Sequence, residues 1–142
     1  MNFGVNTWVW VSPTRADDVA TLAPKARSMG YDMIEIGIEN PGDLDYSKGA
    51  EILREHGLGI SVCAAMGPDR DLIHEDKVIQ QSGVDYIKHC IDAVSTLGGT
   101  NVVGPLYSAV GRVWQQSADD RARDLDTLVA HLSHLSEYAG DK

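Results

Sequence analysis

One carboxylate interrupts an otherwise apolar run of the sequence. Glu35 lies between Ile34 and Ile36, in a segment whose other residues are typical of a buried β-strand. A buried carboxylate needs a hydrogen-bond or charge partner. Glu35 could therefore be a general base, a metal ligand, or a structural acceptor for a backbone or hydroxyl group. We favour the structural role.

Large aromatic side chains recur near the predicted ends of two strands. Trp8 and Trp10 follow the first apolar run, and Tyr107 and Trp114 follow the last. Aromatic walls with a few polar groups suit a sugar, because its C–H faces stack on rings while its hydroxyls form hydrogen bonds. The alternative is that Trp8 and Trp10 are core residues alternating along a strand, and the sequence leaves both interpretations open.

The remaining polar and thiol groups form no complete catalytic set. Cys63 and Cys90 lie in apolar segments without metal-type spacing, so we expect buried free thiols. His131 and His134 are expected at the surface of the last helix. A charged segment after the third apolar run lacks helical ligand spacing and is expected to be a solvated lid: Asp69, Arg70, Asp71, His74, Glu75 and Asp76.

Composition excludes several classes of function. The 142 residues include 12 Lys and Arg against 21 Asp and Glu, a net charge of −9. Binding to a phosphate backbone needs a basic surface, so nucleic acid is not an expected partner. The apolar runs are too short to span a membrane. The N-terminus lacks the basic start of a signal peptide, so we expect a cytoplasmic protein with no membrane partner.

Four apolar, β-prone runs supply the predicted strands. They cover Phe3–Val11, Asp32–Ile38, Ile60–Met66 and Asn101–Leu106. Several are almost continuously hydrophobic, which favours parallel strands buried on both faces. Each run is followed by a helical pattern.

The helices are bounded by recognisable start and stop signals. Gly30 closes the first, within which Pro24 should introduce a kink or mark the start of the regular part. Asp45 can cap the second, and Gly57 ends it. The third has a buried stripe and stops at a Gly pair: Val84, Ile87, Ile91, Val94 and Leu97, then Gly98 and Gly99.

The fourth helical pattern begins after Ser117. Asp120 lies three residues further on, in an arrangement like a capping box. The apolar residues of this helix are predicted to form its inner face: Leu125, Leu128, Val129, Leu132 and Leu135.

Alternating strands and helices predict an α/β fold with right-handed crossovers. Four βα units form half of a (β/α)₈ TIM barrel with parallel strands, which we predict as a single half-barrel domain over residues 1–142. A doubly wound sheet also fits the pattern. Its nucleotide-binding forms lose support because no Gly-x-Gly-x-x-Gly turn or Walker-type loop is present.

The strand-end segments together resemble those of one known family. The run Gly4–Trp10 resembles the first strand of the sugar phosphate isomerase/epimerase family, and Gly30–Ile36 resembles its Gly-aromatic-Asp-x-x-Glu-Ile second strand. Gly67–Asp76 and Gly104–Arg112 resemble its third and fourth βα loops. This family has a xylose isomerase-like barrel and includes the D-tagatose, D-psicose and L-ribulose 3-epimerases.

The resemblance implies a metal-dependent ketose 3-epimerase in a full-length relative. Two carboxylates would move a proton beside the carbonyl while a divalent ion, Mn²⁺ or Co²⁺, holds the sugar oxygens. The family's four metal ligands come from strands five to eight. We therefore expect no catalytic residue, metal ligand or cofactor before Lys142, and no activity of this chain alone.

The same resemblance places a ketose sugar against the strand ends of this chain. Asn6 falls where the epimerases have an aromatic contact, and Ala65 falls where some have Cys. Glu35 matches a strand carboxylate that is not a metal ligand. The substrate-binding positions implied in this way are Asn6, Trp8, Glu35, Ala65, Gly67, Gly104 and Tyr107.

Two other functions compete with the half-epimerase. The first is a non-catalytic half-barrel that self-associates through exposed strand edges, as a dimeric pseudo-barrel or a flavodoxin-like sheet. The second is a nucleic-acid enzyme related to the endonuclease IV barrel, which the acidic charge opposes.

Overall fold

A computed structural model describes residues 1–142 as alternating parallel strands and helices. The strands are β1 (Gly4–Asn6), β2 (Met33–Ile38), β3 (Gly59–Ala64) and β4 (Val102–Val103). The helices are α1 (Ala16–Ser28), α2 (Tyr46–Glu55), α3 (Lys77–Leu97) and α4 (Ala118–Gly140), and a 3₁₀ helix covers Thr7–Val9. The predicted α/β class with four βα units is confirmed.

The chain forms two compact units. We call residues 1–64 with 90–103 the sheet unit, and residues 65–89 with 104–142 the loop unit. All four strands belong to the sheet unit, and α3 contributes to both. That residues 1–142 act as a single domain stays a prediction.

The strand order in the sheet is β1-β2-β3-β4, with every neighbouring pair parallel. A doubly wound sheet reverses its strand order near the middle, and this sheet does not. The order is the one a barrel requires, because each βα unit then lies beside the previous one. The flavodoxin-like alternative therefore loses its support.

The two faces of the sheet differ in burial. Ile34, Ile36 and Val62 project to one face and are fully buried, together with helix residues such as Val19 and Leu53. Each such side chain contributes about 1.5–3 kcal/mol by leaving water. The side chains at the intervening strand positions project to the opposite face, which carries the polar residues of the sheet.

The first and last strands, β1 and β4, are much shorter than predicted. β1 ends at Asn6 because the Thr7 carbonyl turns to accept the N–H groups of Trp10 and Val11 at 2.9 and 3.0 Å. Trp8 and Trp10 therefore do not alternate along a strand, and both are half-buried. β4 ends at Val103, since Gly104 takes φ +133° and Pro105 has no N–H to continue the ladder.

The predicted helix boundaries are confirmed. Gly30, Gly57 and Gly98 have φ of +88°, +63° and +84°, the left-handed conformation that favours glycine after a helix. Asp45 Oδ1 accepts the Lys48 N–H at 3.0 Å, and Ser117 Oγ accepts the Asp120 N–H at 3.1 Å. Pro24 lies within α1, so the interpretation that the regular helix begins there is wrong.

The predicted inner face of α4 is largely wrong. Leu128 and Leu135, two turns apart, are buried, but Leu125, Val129 and Leu132 are exposed. The buried stripe of α4 is therefore narrower than the apolar face that the sequence pattern predicts. The buried stripe of α3 and the two buried free cysteines are as predicted. None of the helices has the length and apolarity needed to cross a membrane.

Candidate functional site

A row of three polar side chains crosses the sheet on its polar face. The strand register aligns Asn6 with Glu35 and Glu35 with Ser61. Asn6 Nδ2 donates to Glu35 Oε1 at 2.6 Å, and Ser61 Oγ donates to Glu35 Oε2 at 3.2 Å. Glu35 is thus the centre of a hydrogen-bonded cluster, in the structural acceptor role that its sequence context favours.

Asn6 connects this row to the turn that follows β1. Its Oδ1 accepts the Trp8 N–H at 2.8 Å while its Nδ2 faces the Glu35 carboxylate. A carboxylate only accepts hydrogen bonds, so Glu35 fixes which way the Asn6 amide points. The amide oxygen is then left to cap the 3₁₀ helix on which Trp8 lies.

Cys63 belongs to the same cluster. It lies two residues beyond Ser61 on β3, next to the side chains of Glu35 and Asn6. Burial, and then the neighbouring Glu35 carboxylate, raises the pKa of this thiol above its usual value. The sequence indicated only a buried cysteine, although the spacing of two from Ser61 along a strand already placed both on one face.

Trp8 packs against β2 at Gly37. A β-carbon at position 37 would overlap the indole ring, so the ring fits only because residue 37 is glycine. Trp8 Nε1 is buried and has no hydrogen-bond partner. The Gly37 N–H donates to Thr7 Oγ1 at 3.0 Å, and Thr7 Oγ1 also lies 2.7 Å from Thr14 Oγ1. Both threonines are fully buried. Neither was predicted from the sequence to belong to this site.

A small cavity opens beside the polar row. It has a volume of about 170 Å³ and is lined by Asn6, Glu35 and Ser61 together with Gly4, Val5 and Met33. Complete ligand pockets occupy about 300–1,000 Å³. The cavity therefore has room for a few hydroxyl groups rather than for an entire ligand.

The other predicted substrate positions belong to the loop unit. Ala65 donates its N–H to Tyr86 Oη at 3.1 Å, and the Ala65 carbonyl accepts from Arg70 Nε at 3.2 Å. A β-carbon on Gly67 would come within 2.6 Å of Asp69 Oδ1. The Tyr107 side chain is 56% exposed.

The seven predicted positions are thus divided between the units. Asn6, Trp8 and Glu35 contact one another in the sheet unit, while Ala65, Gly67, Gly104 and Tyr107 lie in the loop unit. Within the loop unit, the Val110 N–H donates to the Met66 carbonyl at 3.0 Å, so the two strand-end loops are joined. That all seven line one pocket stays a prediction.

The charged segment after β3 is less solvated than predicted. Asp71 is buried and pairs with Arg112 at 3.2 Å, because the fourth loop folds back over the third. Arg112 also pairs with Asp124 of α4 at 3.3 Å.

His131 was expected at the surface and is instead half-buried. Its Nε2 lies 2.9 Å from Gln80 Oε1. Burial, with Lys77 and His134 nearby, lowers the pKa of His131. No three side chains among the His, Cys, Asp and Glu residues converge where they could share a metal ion.

Comparison with known proteins identifies the family. The sequence profile of the xylose isomerase-like TIM barrel matches residues 23–142. The chain belongs to this family. Its relatives include the ketose 3-epimerase of Arthrobacter globiformis, 25% identical over 99% of this chain and 48% of the relative. The L-ribulose 3-epimerase of Methylomonas sp. is 27% identical over 100% of this chain and 49% of the relative.

Solved structures agree with this assignment. The chain superposes on D-allulose 3-epimerase from Methylomonas sp., determined in complex with D-allulose, with a TM-score of 0.88 and 26% identity. That match covers 100% of this chain and 48% of the enzyme. An L-ribulose 3-epimerase structure gives a TM-score of 0.88 at 24% identity. This xylose isomerase-like chain thus spans about half the length of the relatives it matches.

Proposed function

We propose that this xylose isomerase-like chain supplies part of a ketose-binding pocket of the 3-epimerase type. The observation that carries the proposal is the hydrogen-bonded row Asn6–Glu35–Ser61, in which Asn6 and Glu35 are two of the positions that the family resemblance implies for sugar binding. Two relatives are 3-epimerases of ketoses, which supports the choice of ligand class.

The cluster has hydrogen-bonding capacity left for a sugar. A carboxylate offers about four acceptor sites. Glu35 uses two of them for Asn6 and Ser61, which leaves acceptor capacity for a ketose hydroxyl. Ser61 Oγ can still accept a hydrogen bond. We therefore assign Glu35 to holding a hydroxyl group while it orients Asn6.

We further propose that epimerisation needs groups beyond this cluster. The reaction proposed for full-length relatives needs two carboxylates and a divalent ion, and here a single carboxylate lies in the cluster. We therefore propose that the chain binds ketoses without turning them over.

Ligand-observed NMR tests this proposal. D-Fructose, D-allulose and L-ribulose should bind the chain weakly, and Glu35→Gln should weaken binding about ten- to hundredfold, as expected for a hydrogen bond to a charged group worth about 1.5–3 kcal/mol. The matched control is Glu51→Gln, since Glu51 is an exposed carboxylate on α2. Equal ketose binding by wild type and Glu35→Gln would contradict the assignment of Glu35. Rapid epimerisation by this chain with added Mn²⁺ would contradict the binding-only role.

A second proposal, self-association, follows from surfaces that the fold leaves uncovered. β1 and β4 are both edge strands, and Leu125, Val129 and Leu132 of α4 are exposed. Unpaired edges and apolar patches are common association sites. Sedimentation velocity should detect dimers that dissociate on dilution. A single monomeric species across the concentration range would rule this proposal out.

A further inference from the structure

A cavity larger than the one beside Glu35 lies entirely within the loop unit. Its volume is about 580 Å³, inside the range of about 300–1,000 Å³ typical of small-molecule sites. The residues around it come from the segment between β3 and α3, from the first turn of α3, from residues 112–117 and from α4. None of them is among the seven substrate positions implied by the family resemblance.

Arg112 forms a preorganised part of the cavity wall. Its side chain is only 13% exposed. Nη1 donates to Asp71 Oδ2 and to the Ile73 carbonyl, both at 3.2 Å, and Nη2 donates to Asp124 Oδ2 at 3.3 Å. A guanidinium has five N–H donors in a rigid fork. Nε–H and one Nη2–H of Arg112 therefore have no acceptor from the protein.

The charges around the cavity decide which ligand these donors suit. Arg112 already pairs with two carboxylates, Asp71 and Asp124, so its charge is compensated. The other charged lining groups also balance in number, with two cations, Lys77 and Arg123, and two carboxylates, Glu75 and Asp120. A cavity without excess positive charge does not favour an anion such as phosphate. It favours a neutral ligand with hydroxyl oxygens.

Trp114 provides a flat apolar surface at the same cavity. Its side chain is 63% exposed, and the Arg112 guanidinium lies 4.9 Å from the ring centroid. The guanidinium covers one face, and the exposure leaves the rest of the ring open. Gln115, Gln116 and Ser117 add amide and hydroxyl groups to the cavity lining. An aromatic face beside hydrogen-bonding groups is the arrangement that carbohydrate ligands require.

We propose that this cavity is a second carbohydrate site, which binds a neutral monosaccharide. The sugar stacks a C–H face on Trp114 and accepts hydrogen bonds from the two unused Arg112 donors. This site shares no residue with the cluster around Glu35 and does not depend on the function proposed for that cluster.

NMR titration of the isotope-labelled full chain with D-fructose tests the proposal. The Trp114 indole N–H signal should shift saturably, with a dissociation constant in the millimolar range. Trp114→Ala should weaken this site about tenfold, and Gln115→Ala should weaken it less. Both residues are exposed, so neither change should affect folding. Trp10→Ala is the matched control, because Trp10 also stacks with a cation, Lys25, at 4.6 Å.

Two further titrations distinguish this site from the ketose pocket and from a phosphate site. In Glu35→Gln the shifts around Trp114 should persist, which separates this site from the ketose pocket even if that pocket fails its own test. Inorganic phosphate should shift the Trp114 signal less than the sugar does. The proposal is overturned if D-fructose gives no saturable shift at Trp114, if Trp114→Ala binds as wild type does at the remaining loop-unit signals, or if phosphate is the stronger ligand.

Discussion

The Glu35 carboxylate on β2 accepts a 2.6 Å hydrogen bond from the side-chain amide of Asn6 on β1. Because the other end of that amide caps the turn bearing Trp8, one contact between strands determines how the chain leaves the first strand. The polar face of the sheet is thus coupled directly to the first strand-end segment.

Replacing Asn6 by Asp should break this coupling through charge repulsion. The variant places two carboxylates in contact where an amide donor now meets Glu35. We expect a loss of about 1–3 kcal/mol in the free energy of unfolding at neutral pH, because one carboxylate loses its donor. Lowering the pH should restore stability as the pair takes up a proton. Urea denaturation at several pH values measures this, with Asn101→Asp as an exposed control.

Gly37→Ala should destabilise the sheet unit. The added methyl group overlaps the Trp8 indole, which must move. Overpacking of this kind costs about 1–3 kcal/mol. Thermal unfolding should show a lower melting temperature, and the tryptophan emission spectrum should change. Gly140→Ala provides the control, since a β-carbon there meets nothing within 4 Å. Unchanged stability of Gly37→Ala would contradict the packing described for Trp8.

Asp71→Ala should destabilise the loop unit strongly. Arg112 would keep Asp124 but lose a partner whose side chain is only 4% exposed. Removing one partner of a buried ion pair costs about 3–5 kcal/mol. By contrast, Arg123→Gln removes an exposed pair with Asp120 and should leave the unfolding transition where it is. Limited proteolysis of residues 104–117 would show whether the loss is local.

Cys63 should react slowly with thiol reagents in the folded protein. Burial and the Glu35 carboxylate raise its pKa, so the reactive thiolate is scarce at neutral pH. Glu35→Gln removes the carboxylate charge, which is the second cause of the raised pKa, and should therefore accelerate labelling of Cys63 at alkaline pH. The raised pKa also means that its contribution to stability is lost as pH rises above the ordinary thiol value. Labelling followed by mass spectrometry, with Cys63→Ala as the reference, measures both effects.

Helix boundaries and fold class could be predicted from the sequence because they depend on local chemistry. Gly30 and Gly57 end helices through their own backbone freedom, and Asp45 caps α2 through its nearest neighbours. The same local logic failed for α4. Whether Leu125, Val129 and Leu132 are covered depends on what packs beside the helix, which an apolar pattern does not specify.

Part of the site was also predictable. Glu35 lies among apolar neighbours, so the sequence indicates that its carboxylate needs hydrogen-bond or charge partners. Asn6 and Ser61 became its partners only through the register of three parallel strands, which joins positions 26 to 29 residues apart. Asp71 and Arg112 are 41 residues apart, and nothing in either segment alone predicts their contact.

The sequence by itself therefore determined the alternation of strands and helices, their end signals and the carboxylate that needed partners. These properties arise from interactions over a few residues. The tertiary structure alone decided which polar groups meet Glu35, that Trp8 lies against Gly37, and that Arg112 lies in a cavity wall beside Trp114. Such contacts depend on strand register and loop packing, because distant segments must first be brought together before their side chains can meet.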